Sequence, residues 1–187
     1  TLNQDQARAL INELIANYRK LERADLQSEA NVRANFIDPL FAALNWPIND
    51  PIHYNREQFV RGAGFADIAL KSDRVADTPL IFVEAKRFSS IELLNRVQDR
   101  RDRDVAQLRL KLPGMSVDRT REEQQAINYA YQNGMRWAVL TNFERLRLFN
   151  ARRDTLVLSF VSPNELLERF DELWQLSFTE IGRASCR

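Results

Sequence analysis

A run of four apolar residues, Leu80-Ile-Phe-Val83, leads directly into the triplet Glu84-Ala-Lys86. The shortness of the run and the residues around it predict a buried strand rather than a helix. Side chains two positions apart on a strand share a face, so Glu84 and Lys86 should point the same way at its end. The chain is thereby restricted to folds that carry a charged site at the end of a buried strand.

A second strand is predicted shortly before this one. Phe65-Ala-Asp-Ile-Ala-Leu70 alternates apolar residues with small or polar ones, and a polar turn segment separates it from Leu80. Neighbouring strands joined by a short turn pair antiparallel, which can bring Asp67 beside Glu84. Two carboxylates beside an apolar strand need partners, or they take up protons. Mg²⁺ would meet that need, because it prefers oxygen ligands and is commonly held by one or two carboxylates.

The remaining hydrophobic pattern predicts helices before these strands and further strands and helices after them. This order predicts an α/β (α+β) fold with a central mixed β-sheet flanked by helices. One domain is expected at 1–181, with 182–187 as a vector-derived tail or a ragged cut. Helices are expected at 4–23, from Ser28 to about 44 with a kink or a break at Asp38-Pro39, at 91–112, at 122–133 and from Ser162-Pro163. Strands are expected at 58–60, 65–70, 80–83, 137–140, 146–149 and 155–160.

Composition excludes several classes of protein. The hydrophobic fraction of 44% and charged fraction of 28% are those of a soluble globular protein. No apolar run approaches the roughly 20 residues of a membrane span, so no membrane association is expected. One cysteine and one histidine provide neither a disulfide framework nor a histidine metal site, which favours a cytoplasmic protein.

The charge distribution suggests one surface for phosphates. Residues 86–121 hold ten Lys and Arg against five Asp and Glu, a net charge of +5. Such a segment could contact nucleic acid. A solvated helix with internal ion pairs explains the same pattern equally well.

The combination of Asp67 with Glu84-Ala-Lys86 resembles the PD-(D/E)XK motif of metal-dependent nucleases, with Ala66 at the proline position. Gln125-Ala-Ile-Asn-Tyr129 resembles the Q-x-x-x-Y element that follows the catalytic lysine in some of these enzymes. The resemblance covers roughly residues 25–150 in the order that the family uses. It is strongest to the nuclease domains of type I R subunits and of fused type IIG restriction–modification enzymes.

This resemblance implies a restriction-endonuclease-like fold and roles for particular residues. Asp67 and Glu84, helped by the backbone carbonyl of Ala85, would bind Mg²⁺, for which Mn²⁺ can substitute. Lys86 would be the catalytic lysine. Glu29 would be an additional acidic member of the site. The alternative interpretation is that its negative charge, in the first turn of a helix, interacts favourably with the helix dipole.

Gln125 and Tyr129, one helical turn apart, would line the site and support the lysine or the DNA. The alternative interpretation is that Gln125 is an exposed amide and Tyr129 is a core aromatic residue. The interval between the catalytic strand and Gln125 is long for the family, which predicts an insertion at 89–120. Gln124 or Gln107 could therefore take the place of Gln125.

The function implied is that of a Mg²⁺-dependent endonuclease domain that hydrolyses DNA phosphodiester bonds within a restriction–modification enzyme. The implied partners are double-stranded DNA and methyltransferase, target-recognition or helicase domains of the same or a partner chain. Two alternatives remain at this point. One is a nuclease-fold DNA-binding module that does not cleave, and the other is a repair or recombination nuclease of the same superfamily.

Overall fold

The computed structural model describes residues 1–60, 64–72, 79–90 and 120–184. Within the first range, the N-terminal helix has a reciprocal hydrogen-bonded cap at its start. Helix α1 spans Gln4–Arg19; the Asn3 side chain accepts a hydrogen bond from the Gln6 backbone, and the Gln6 side chain accepts one from the Asn3 backbone. The helix was predicted to reach residue 23 but ends at Arg19. There the backbone N–H groups of Lys20 and Leu21 bond three residues back instead of four, which tightens the last turn.

Ser28 begins the second helical region as its N-cap, as predicted, because its Oγ accepts a hydrogen bond from the N–H of Asn31 at 3.2 Å. A widened turn precedes Pro39, close to the predicted kink. Proline has no N–H to donate, and the widened turn accommodates that missing bond while the helix continues. The region comprises α2 (Glu29–Val32), one turn of π-helix (Arg33–Ile37) and α3 (Asp38–Ala43).

One sheet runs through the described residues. Its strands are β1 (Tyr54–Val60), β2 (Gly64–Leu70), β3 (Ile81–Ala85), β4 (Trp137–Thr141), β5 (Leu146–Asn150) and β6 (Thr155–Phe160). They lie side by side in chain order, and every neighbouring pair is antiparallel except β3 and β4, which are parallel. The predicted mixed sheet and the predicted antiparallel pairing before residue 84 are therefore confirmed. β1 starts at Tyr54 rather than at 58, because Tyr54 already pairs with Leu70.

Helix α4 (Arg121–Gln132) lies in the connection between the two parallel strands. Thr120 caps its start, and Glu123 closes the reciprocal bond to the Thr120 backbone. Its end at Asn133-Gly134 matches the prediction, with Gly134 at a φ of 71°. Glycine is favoured there because other residues are strained at positive φ.

Alternation along the strands gives the sheet two different faces. One face presents Ile68, Ile81 and Val83 to the core, which also includes residues of α1 and α3. The opposite face presents Ala69 and Phe82, which pack with residues of α4. A sheet with helices on both faces agrees with the predicted fold class, a central mixed β-sheet flanked by helices.

The C-terminal region was predicted as one helix from Ser162-Pro163 and consists of three short ones. Its predicted apolar face is confirmed, since Leu166, Phe170 and Leu173 are buried. Arg169 interrupts the first helix, and its guanidinium donates to the Ser159 carbonyl at 2.7 Å. The helices are α5 (Glu165–Glu168), α6 (Phe170–Trp174) and α7 (Phe178–Ala184), so the last of them extends into the range predicted as a tail.

The predicted helix at 91–112 and most of the predicted insertion at 89–120 lie outside the described residues. The same holds for most of the positive segment at 86–121. Among the helices that the structure describes, none is both long and apolar enough to cross a membrane.

Candidate active site

Two adjacent strands bring Asp67 and Glu84 together on the face that α4 covers. Ile68 pairs with Val83 across β2 and β3, and extending this register by one residue places Asp67 opposite Glu84. Asp67 shares its face with Ala69, and Glu84 shares its face with Phe82, both of which pack against α4. The predicted proximity of these two carboxylates is therefore present in the structure.

Hydrogen bonds hold the end of β3 in place. The backbone N–H of Ala85 donates to Oδ2 of Asp67 at 2.8 Å, and Nζ of Lys86 donates to Oε1 of Glu84 at 2.6 Å. The Glu84 side chain is 8% exposed and that of Lys86 is 22% exposed. The three charged groups thus form a partly buried cluster, in which Glu84 is buried while Asp67 and Lys86 are partly exposed.

The electrostatics of this cluster determine its protonation. Burial raises the pKa of the Glu84 carboxyl; Lys86 opposes this effect, while the negative charges of Asp67 and Glu29 add to it. Burial lowers the pKa of Lys86, but its hydrogen bond to Glu84 and the charges of Glu84, Glu29 and Asp67 outweigh burial and leave the pKa raised. Lys86 is therefore a cation at neutral pH, suited to stabilise negative charge rather than to remove a proton.

Tyr129 lies against the same cluster. Its ring stacks on Phe82, with centroids 4.2 Å apart and planes at 23°. Its hydroxyl is buried without a hydrogen-bond partner among the described residues. Burial, together with the charges of Glu84 and Asp67, raises the pKa of Tyr129 to about 12. A buried hydroxyl without a partner beside two carboxylates can donate to an oxygen that enters the site.

Gln125 lies one helical turn before Tyr129 on α4 and is exposed. No contact between its side chain and the cluster is observed in the part of the chain that the structure describes. Of the two alternatives, Gln124 donates to Asn128 along its own helix at 2.8 Å, and Gln107 lies outside the described residues. Gln125 therefore stays a predicted member of the site, on the same face of α4 as Tyr129.

Glu29 belongs to the helical region that packs on the opposite face of the sheet. It is the first residue of α2, directly after the N-cap Ser28, and it is exposed. Its charge raises the pKa of both Glu84 and Lys86, so the structure places it within electrostatic range of the cluster. The fold thus brings together Glu29 and residues of the sheet that lie far from it in the sequence.

The donor set fits a hard divalent cation. The negative charge of Asp67 adds to the raised pKa of Glu84, and a cation between the two carboxylates would relieve their repulsion. The N–H of Ala85 donates to Asp67 on β2, and the carbonyl of a strand residue points to the same side as its N–H, so the Ala85 carbonyl is expected on the β2 side of β3. Carboxylate and carbonyl oxygens are the ligands that Mg²⁺ prefers. Within the described residues, no group of three or more His, Cys, Asp and Glu side chains forms a cation site by itself.

Sequence reasoning missed two polar groups around this cluster. The first is the ion pair between Arg147 on β5 and Glu123 on α4, with side chains 3% and 4% exposed. The pattern Thr120-x-x-Glu123 predicts a helix cap, and Arg147 interrupts an apolar strand, but nothing in the sequence indicates that the two residues meet.

The second missed group centres on Glu144, in the turn between β4 and β5. Its carboxylate accepts hydrogen bonds from Tyr18 at 2.6 Å, from the Ser89 N–H at 2.8 Å and from Asn142 at 3.0 Å. It thereby fixes the segment that follows Lys86 to α1 and to the neighbouring turn. No local signal could have identified its anchoring role, because two of its three partners, Tyr18 and Ser89, are distant in the sequence.

Comparison with protein-family models gives no match, and no curated protein matches the chain. Among solved structures, the chain is similar to one described as the fragment structure of a putative HsdR subunit of a type I restriction enzyme from Vibrio vulnificus YJ016. The two chains are 22% identical with a TM-score of 0.44, over 78% of this chain and 26% of that one. This chain therefore spans about a quarter of the length of that protein. A similarity of this size assigns neither a fold nor an activity.

Proposed function

We propose that this chain is a nuclease domain that hydrolyses DNA phosphodiester bonds with Mg²⁺, as part of a restriction–modification enzyme. The observation that carries the proposal is the cluster of Asp67, Glu84 and Lys86 on one face of two paired strands, with the ammonium 2.6 Å from the Glu84 carboxylate. The restriction–modification context rests on the resemblance of the sequence motifs.

Asp67, Glu84 and the carbonyl of Ala85 are the proposed ligands of Mg²⁺, with Mn²⁺ as a substitute. When bound, such a cation supplies charge to the phosphate and lowers the pKa of a water molecule. The two carboxylates are suited to this role because they lie opposite each other on paired strands, and burial of Glu84 limits its contact with bulk water. The hydrogen bond from Ala85 holds Asp67 in orientation.

Lys86 is the proposed catalytic residue. In the reaction, a bond forms between a water oxygen and phosphorus, and one phosphorus–ester oxygen bond breaks. The water releases a proton to solvent, and the departing oxygen takes one up. The Lys86 ammonium donates to a phosphate oxygen and stabilises the negative charge that develops there, an effect typically worth about 100-fold or more in rate.

Glu29, Gln125 and Tyr129 are the proposed outer members of the site. The buried hydroxyl of Tyr129 is positioned to donate to an oxygen beside the carboxylates. Double-stranded DNA is the proposed substrate, and target-recognition, methyltransferase or helicase domains of the same or a partner chain are the proposed partners. We assign recognition of the target DNA sequence to those other domains.

Cleavage of supercoiled plasmid DNA with Mg²⁺ tests the proposal, using the domain or its full-length parent. We expect nicking by the parent, and a loss of at least about 100-fold in Lys86→Ala and Asp67→Ala. Lys20→Ala, at the exposed end of α1, is the matched control and should cleave like the parent. Equal nicking by all variants would overturn the site assignment. A parent that binds DNA without nicking it would favour the non-cleaving module instead.

A further inference from the structure

The start of α4 is held to the sheet by a buried ion pair. Arg147 on β5 donates to Oε1 of Glu123, and Oε2 of Glu123 accepts from the Thr120 backbone at 3.1 Å. Both oxygens of one carboxylate are therefore engaged, one by the helix cap and one by the sheet. The Glu123 and Arg147 side chains are almost fully buried, on the face that carries Glu84.

Such a pair contributes little to net stability. Removing two charges from water is costly, and apolar residues of similar volume are often as stabilising or more so. Among the described residues, the other contacts of α4 with the sheet are made by Ala126, Ile127 and Ala130, whose small or apolar side chains set no fixed orientation, and by the stack of Tyr129 on Phe82 near the far end of the helix. The ion pair is the directional contact at this end of the helix, so its main effect is on the position of α4.

The position of α4 matters to the candidate active site. Gln125 and Tyr129 follow Glu123 by two and six residues on this helix. Tyr129 stacks on Phe82, which lies two residues before Glu84 on the same face. A slip of α4 by one residue would move its side chains by about 1.5 Å and turn them by about 100°. Misplacement of about 1 Å can reduce a rate about 100-fold.

We propose that Glu123 and Arg147 are positioning residues, which hold α4 in register so that Tyr129 and Gln125 face the Asp67, Glu84 and Lys86 cluster. Neither residue touches the reacting atoms in this assignment. The inference rests on the proposed nuclease function for its effect on cleavage. Its structural part, the placement of Tyr129, can be measured independently of any activity.

The test replaces both charges by apolar groups in Glu123→Leu/Arg147→Met, which should keep the fold. The protein is labelled with 3-fluorotyrosine, and the Tyr129 signal among the four tyrosines is assigned with Tyr129→Phe. We expect the melting temperature to stay near that of the parent, the Tyr129 fluorine resonance to shift, and kcat for plasmid nicking to fall about 10- to 100-fold. The control Arg8→Gln/Asp171→Asn removes an exposed pair on the other face and should change none of the three.

Arg147→Lys keeps a cation and provides the rescue arm. Arg147→Lys should have a Tyr129 resonance and a cleavage rate between those of the parent and those of the double variant. If the double variant melts early, Arg147→Lys is the variant in which the resonance and the rate are compared with the parent. An unchanged Tyr129 resonance with undiminished cleavage in the double variant would overturn the proposal. If the parent itself does not cleave DNA, the proposed function fails, and the resonance alone still decides whether the ion pair positions Tyr129.

Discussion

Removal of the Tyr129 hydroxyl should affect stability and cleavage in opposite directions. This hydroxyl is buried, has no hydrogen-bond partner among the described residues, and lies within range of the charges of Glu84 and Asp67. Tyr129→Phe keeps the ring that stacks on Phe82 and deletes only the oxygen. The folded state then no longer buries a polar group that it cannot satisfy.

The expected gain follows from the cost of such a group. An unsatisfied buried polar group costs about 1–3 kcal/mol, and the small void left by the oxygen offsets part of the gain. We therefore expect the free energy of unfolding to rise by about 1 kcal/mol. For a chain of 187 residues this corresponds to a melting temperature higher by about 2–4 °C. Cleavage should fall by about tenfold, since the proposed donor to the site is lost.

Urea unfolding and plasmid nicking measure the two effects on the same preparation. The matched control is Tyr131→Phe on the same helix, where the side chain is 63% exposed and its hydroxyl is solvated. This control should change stability by no more than about 0.5 kcal/mol and leave nicking unchanged. A loss of stability of 1 kcal/mol or more in Tyr129→Phe would refute the reasoning, because it would mean that the hydroxyl has a stabilising partner.

Two further predictions concern the stability of the fold, one at Tyr54 and one at Glu144. Burial, followed by the charge and hydrogen bond of Asp38, raises the pKa of Tyr54 above its ordinary value. The unfolded chain therefore loses this proton at a lower pH than the folded protein does. The free energy of unfolding should hold below about pH 10 and fall above it by about 1.4 kcal/mol per pH unit. Tyr54→Phe should remove this part of the slope in urea titrations at pH 9 and 11, and an unchanged slope would contradict the assignment. Glu144→Ala removes the acceptor of three hydrogen bonds and should destabilise the fold by about 1–2 kcal/mol in urea, whereas the exposed control Glu168→Ala should stay within about 0.5 kcal/mol. Equal stability of the last two variants would exclude the proposed anchoring.

The strands and the central cluster could be predicted because they depend on local periodicity. β6 spans the predicted residues 155–160, and the pairing of β2 with β3 follows from two short strands joined by a turn. Once that pairing is assumed, alternation alone places Asp67, Glu84 and Lys86 on one face. These features require no knowledge of residues far away in the chain.

Contacts between distant segments could not be predicted in the same way. Arg147 lies in a strand whose alternation favours an exposed charge, yet α4 covers that face and pairs it with Glu123, 24 residues earlier. Glu144 binds the Ser89 backbone 55 residues earlier. Likewise, the predicted C-terminal helix is interrupted at Arg169, whose guanidinium donates to the Ser159 carbonyl in β6. Tertiary packing decides each of these outcomes and overrides the local pattern.

The most direct test of the account is a calorimetric titration of the metal-free protein with Mg²⁺ and with Mn²⁺. Glu84→Gln keeps the shape of the side chain and removes its charge, and Glu168→Gln is the matched control on the exposed surface of α5. We predict that the parent and the control bind with the same Kd, and that Glu84→Gln binds at least about tenfold more weakly, a loss of about 1.4 kcal/mol. Binding that is absent in the parent, or that is unchanged in Glu84→Gln, would contradict the assignment of this cluster as a metal-dependent nuclease site.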